Sequence, residues 1–133
     1  MGAMTGKEQK TKILIVEDNE KNLKLFKLIV ASLGYEPLAA GNGEEGIKIA
    51  MKERPDLILM DIQMPIMDGL SAVEFLKSEE STKHIPVIAL TSYAMKGDKE
   101  RFLEYGFSDY LSKPVKKDDL IKAARNALKR DVG

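Results

Sequence analysis

Three uninterrupted apolar runs, Ile13 to Val16, Leu57 to Met60 and Val87 to Leu90, recur along the chain. Each gives way to a longer segment whose apolar residues lie three and four apart. A strand with one wet face alternates apolar with polar residues, whereas a strand covered on both faces can be apolar throughout. Such runs, separated by helical periodicity, predict βα units wound around a parallel sheet with helices on both sides. Tyr35 to Ala40 and a short Asp109 to Leu111 fit the same cycle and bring the predicted strands to five. Pro37 lacks the N–H that a central ladder needs, which sends the second strand to a sheet edge.

An edge strand that comes second in sequence fits the order 2-1-3-4-5, so the predicted architecture is α/β, a flavodoxin-like (βα)5 doubly wound parallel sheet. The helical stripes are Leu23, Phe26, Ile29, Val30 and Leu33, closed by Gly34; then Ile47, Ala50 and Met51 after the Asn42-Gly43 turn; then Leu70, Val73 and Leu76; and finally Leu120, Ile121, Ala124 and Leu128. Ala94 to Tyr105 is the weakest helix, with Gly97 inside and charges at 98 to 101, and is expected to be the least buried and the readiest to shift. With 133 residues and no repeat or linker, one domain is expected over 12–130, after a cloning remnant and flexible N-terminus at 1–11 and before a short tail at 131–133. The 21 basic and 21 acidic side chains cancel, which argues against a nucleic-acid or membrane-surface binder. With no cysteine, no signal peptide and no apolar run near the ~20 residues of a bilayer span, a soluble cytoplasmic protein is expected.

In an open α/β sheet ligands bind beyond the carboxyl ends of the strands. Here those ends carry Glu17 and Asp18, Asp61, Thr91 and Ser92, and Ser112 with Lys113 and Pro114. A single carboxylate at such an end can simply cap the next helix, and Asp18 is open to that reading. Three together repel and raise one another's pKa unless a cation lies among them. The donors are hard oxygens, and the only histidine, His84, precedes the fourth strand at its far end and reads as a surface residue, so Mg²⁺ is favoured, with Mn²⁺ a substitute. A metal held by few carboxylates with Lys113 opposite suits a phosphoryl group, and Asp61, alone at the end of the central strand, is the best nucleophile. Glu17 and Asp18 are placed to share the ion.

The segments Ile13-Leu-Ile-Val-Glu-Asp-Asn19, Leu59-Met-Asp-Ile-Gln-Met-Pro-Ile-Met-Asp-Gly69, Ala89-Leu-Thr-Ser92 and Tyr110-Leu-Ser-Lys-Pro114 resemble, in order and spacing, the signature blocks of the response regulator receiver domain of two-component signalling. The resemblance runs from about Lys12 to Arg130. It implies that Asp61 accepts a phosphoryl group from a histidine kinase or histidine phosphotransfer protein. It further implies that Glu17, Asp18, Asp61 and the main-chain carbonyl of Gln63 hold Mg²⁺, that Lys113, Thr91 and Ser92 bind the phosphate, that Thr91 and Tyr110 form a switch pair, and that Pro114 follows a cis peptide bond. Glu17-Asp-Asn19 with Asn22, and Thr91 to Asp98, look like the receivers of hybrid kinases and of single-domain DivK-type regulators. Gln63 and Tyr93 depart from the chemotaxis receivers at positions expected to tune the lifetime of the acyl phosphate. No residues remain for an output domain, so the expected function is a stand-alone switch that acts on a downstream protein.

Three rivals fail on the sequence. Gly41-Asn-Gly43-Glu-Glu-Gly46 satisfies G-x-G-x-x-G, but it follows an edge strand and opens a helix with Glu44 and Glu45, which would repel a pyrophosphate, so no nucleotide is expected. A flavodoxin needs a phosphate-binding loop after the first strand, where this chain has Glu17-Asp-Asn-Glu20. A phosphatase of the haloacid dehalogenase type needs a second Asp two residues after its nucleophile, where this chain has Gln63, so no turnover of a separate substrate is expected. Met60, Met64, Met67 and Met95 read as packing residues.

Overall fold

All five predicted runs form strands; four carry their ladder one residue further than the predicted run, while the second starts one residue later, at Glu36. The computed structural model describes residues 10–64, 67–92 and 98–132, with Asp98 and 130–132 described as backbone only. In chain order the elements are β1 (Lys12–Val16), α1 (Glu20–Ser32), β2 (Glu36–Ala40), α2 (Gly43–Glu53), β3 (Leu57–Asp61), α3 (Gly69–Ser78), β4 (Val87–Thr91), α4 (Asp98–Tyr105), β5 (Asp109–Ser112) and α5 (Lys117–Val132). The strands form one parallel sheet in the order β2-β1-β3-β4-β5. Pro37 lies in edge strand β2 opposite Ile13.

Successive side chains of a strand point to opposite faces, so a run apolar at every position feeds two cores. Leu14, Val16, Ile58, Met60, Val87 and Ala89 meet Ile47 and Ala50 of α2, Val73 and Leu76 of α3 and Phe102 of α4. Ile13, Ile15, Leu57, Leu59, Ile88 and Leu90 meet Phe26, Ile29 and Val30 of α1 and Leu120, Ala124 and Ala127 of α5. Met51 departs from its expected stripe: it lies on the exposed side of α2, because Gly43, Gly46, Ile47 and Ala50 make up the buried face.

Three helices begin on side-chain caps that accept the orphan backbone N–H groups of the first turn. Asn19 accepts from the Asn22 amide, Asn42 from Glu45 and Asp68 from Ser71. Past the ends of α1 and α4 the chain turns through Gly34 (φ 88°) and Gly106 (φ 114°), a left-handed region open to glycine at little cost.

In α4, Phe102 alone is buried among the described side chains, in keeping with its sparse apolar pattern. The expected start of that helix at 94–97 and Tyr93 lie outside the described residues, as do residues 1–9 of the expected N-terminal remnant. Helix α5 continues to Val132, into the stretch expected to be a tail. Among the described residues no helix is long and apolar enough to cross a membrane.

Candidate functional site

Parallel register brings the strand ends level: Val16 lies beside Met60, Asp61 beside Leu90 and Thr91 beside Ser112. The residues that follow β1 and β5 therefore converge with Asp61 and Thr91 on one edge of the sheet. Asp61, Glu17 and Thr91 are at most 2% exposed, while Asp18 is exposed and Lys113 half-buried.

The Lys113 ammonium lies 3.1 Å from Asp61 Oδ1 and 3.2 Å from Glu17 Oε1, bridging the two buried carboxylates. The Gln63 amide donates to Asp61 Oδ1 at 3.1 Å, and the Asn19 amide donates to Glu17 Oε2 at 3.2 Å. Lys113 is anchored by its own backbone, whose N–H donates to the Thr91 carbonyl at 2.7 Å, and the Lys113–Pro114 peptide bond is cis.

The electrostatics follow from this crowding. Burial, then the hydrogen bond Glu17 shares with Asp61 and the charge of Asp61, push the Glu17 carboxyl up from 4.5 to about 7, against the Asn19 amide and Lys113, which pull it down. Burial alone would lower the Lys113 ammonium, but Asp61 and Glu17 outweigh it and hold the pKa above its usual value.

One oxygen each from Glu17, Asp18 and Asp61 can lie within 4.8 Å of one another, a spacing that suits a shared cation. Glu17 Oε1 is buried and accepts no hydrogen bond, with the Lys113 ammonium 3.2 Å away. Hard oxygens from three carboxylates, one of them lacking a donor, fit Mg²⁺. Asp18 does not cap α1, because Asn19 takes that position; its carboxylate is left pointing at the cluster's rim, where an ion would meet it. The order of the two residues in an Asp-Asn pair does not say which one caps, and both are good caps.

The other expected residues are distributed around this core. Ser92 and the Gln63 side chain are exposed. Tyr110 is half-buried in β5, its ring 5.5 Å from that of Phe102, so it touches the one buried anchor of α4. His84 is exposed before β4, away from the site. Met60 is buried, and Met64 and Met67 pack against the same core; Met95 lies outside the described residues. In the Gly41 to Gly46 loop the Gly41 amide donates to Glu45 Oε1 at 2.6 Å, so a carboxylate of the chain itself holds a donor that a pyrophosphate would need. Sequence reasoning missed the main-chain contribution of Gln63 N and Asn19 N, since backbone amides leave no residue-type signal.

The family described as "Response regulator receiver domain" matches residues 13–125. The chain is similar to the polar-differentiation response regulator DivK of Brucella anthropi, 46% identical over 116 residues that cover 87% of this chain and 94% of that protein. It is also similar to the receiver domain of a sensor histidine kinase from Pseudomonas aeruginosa, whose crystal structure has a magnesium ion coordinated in the active site cleft (36% identity, TM-score 0.83, covering 90% of this chain and 98% of that one). A Vibrio cholerae chemotaxis protein aligns with a TM-score of 0.84 at 28% identity, over 90% of this chain and 99% of its own.

Proposed function

The chain belongs to the response regulator receiver domain family, and from that premise we propose that it is a phosphorylation switch whose acceptor is Asp61. The observation that carries the reading is a buried Asp61 at the end of the central strand, held between the Gln63 amide and the Lys113 ammonium with Glu17 alongside. Glu17, Asp18, Asp61 and the Gln63 main-chain carbonyl would hold Mg²⁺ or Mn²⁺, which would supply positive charge to offset that of the incoming phosphoryl group. Lys113 supplies a second positive charge opposite, and a carboxylate oxygen of Asp61 forms the new P–O bond as the donor's P–N bond breaks.

The donor is a histidine kinase or histidine phosphotransfer protein, and the readout is a contact with a downstream protein, in the cytoplasm. Nucleic acid, membrane and nucleotide have no part in it. Gln63 stands where a phosphatase would place an acid/base, so the domain assists its own phosphorylation and dephosphorylation but turns over no separate substrate.

The switch runs through Thr91 and Tyr110. The phosphoryl group draws the Thr91 hydroxyl, with Ser92 beside it, and Tyr110 follows inward. Because Tyr110 leans on Phe102, the anchor of α4, its movement carries that helix along. Labelling by acetyl phosphate tests the proposal: Asp61 should be labelled only with Mg²⁺ or Mn²⁺ present, and Asp61→Asn should abolish labelling. Full labelling in Asp61→Asn, or in chelator, would overturn it.

A further inference from the structure

The Gly41 to Gly46 loop imitates a nucleotide motif, yet its middle glycine, Gly43, faces the chain's own backbone. Gly43 opens α2 directly against the Met67 carbonyl: a Cβ there would fall inside contact with the oxygen and 3.1 Å from the carbonyl carbon. Two residues on, Gly69 opens α3 against the acceptor strand: a Cβ there would lie 2.5 Å from the Asp61 carbonyl oxygen and 2.9 Å from Ile62 Cα. The Gly69 amide also donates to the Ile62 carbonyl at 3.0 Å. Between them Asp68 is tied to α3 by its cap on Ser71.

The result is a continuous stack of main chain, from the first turn of α2 through Met67, Asp68 and Gly69 to Asp61 and Ile62. The obstructing atoms at both ends are backbone, which no rotamer change can move aside. Gly41 differs: a Cβ there would meet only Glu45 Oε1, at an ordinary 3.8 Å.

We propose that Gly43 and Gly69 are positioning residues, through which the first turn of α2 sets the backbone of Asp61 and hence the aim of its carboxylate at the Gln63 amide and at the phosphoryl donor. The inference deepens the proposed phosphoryl-transfer reading and rests on it for its kinetic consequence. Misplacing an attacking group by a fraction of an ångström is costly to rate, up to ~100-fold for 1 Å. Binding of a small phosphodonor depends less on that aim.

The test compares Gly43→Ala with Gly41→Ala, each checked by circular dichroism to be folded at the assay temperature. In Gly43→Ala the maximal rate of Asp61 labelling at saturating Mg²⁺ should fall on the order of tenfold, with the half-saturating acetyl phosphate concentration little changed. The Ile62 and Gln63 amide resonances should move in the unphosphorylated protein. Gly41→Ala should match wild type in both. Lowered stability alone would not slow a fully folded sample at saturation. Should Gly43→Ala not fold, Asn42→Ala loosens the same turn without adding an atom, by removing the cap on Glu45 N, and should move the same resonances. Unmoved Ile62 and Gln63 resonances, or a wild-type maximal rate, would overturn the positioning role. Failure of wild type itself to label would instead refute the phosphoryl-transfer reading, and the amide shifts would still decide whether α2 sets the Asp61 backbone.

Discussion

Replacing Glu17 with Gln should change how stability depends on pH in a defined direction. Glu17 is 1% exposed and shares its surroundings with Asp61, and together these raise its carboxyl from 4.5 to about 7. A carboxyl with a native pKa above its unfolded one favours the folded state fully only below about 4.5. That advantage is lost as pH rises to about 7 and stays lost above it. At 1.36 kcal/mol per pH decade the whole span is roughly 3 kcal/mol, most of which falls between pH 5 and pH 8. For a domain of this length that is roughly 8–12 °C in melting temperature.

Gln is neutral throughout, so the variant lacks this slope. The attraction of Lys113 for ionised Glu17 is already contained in the raised Glu17 pKa, so its loss adds no separate slope while Lys113 stays charged. Melting curves of both proteins in chelator, from pH 5 to pH 8, should therefore diverge steadily in favour of Glu17→Gln. Saturating Mg²⁺ at pH 8 should restore wild type and do little for the variant. Parallel stability profiles for the two proteins would refute the reasoning, since they would mean that Glu17 is neither desolvated nor coupled to Asp61.

Asp18→Asn should leave melting in chelator within about 0.5 kcal/mol of wild type, because Asp18 is exposed and Asn19 is the cap, while weakening Mg²⁺ binding by calorimetry; a large stability change would mean that the carboxylate has a structural role. Thr91→Ala should still accept phosphate at Asp61 but lose much of the beryllofluoride-induced NMR shift over residues 98–112. One hydrogen bond to a charged group is worth about 1.5–3 kcal/mol, against the roughly 5.5 kcal/mol that a 1:99 to 99:1 shift requires. Lys113→Ala, which removes a charge 3.1 Å from Asp61, should impair the response more than Thr91→Ala does, and equal shifts in Thr91→Ala and wild type would take the hydroxyl out of the switch.

Residue type and spacing alone determined the sheet, its order and the company of Glu17, Asp18, Asp61, Thr91 and Lys113 at one edge. Runs of four residues apolar at every position, too short for a buried helix, fit strands with two covered faces, and Pro37 favours an edge for β2. Because parallel strands all end on the same side, polar residues just after those runs must meet. Sequence could not rank the carboxylates: Glu17 and Asp18 are neighbours, yet successive residues leaving a strand diverge, and the fold buries the first and exposes the second. Nor could it show that Lys113 bridges Glu17 and Asp61, that Asn19 and not Asp18 caps α1, or that Tyr110 rests on Phe102. Those depend on distances between elements far apart in the chain. The glycines of the Gly41 to Gly46 loop are the sharpest case: the acidic helix start already argued against a nucleotide, but only the packing of Gly43 against the Met67 carbonyl and of Gly46 against the Val16 side chain shows what those glycines make room for.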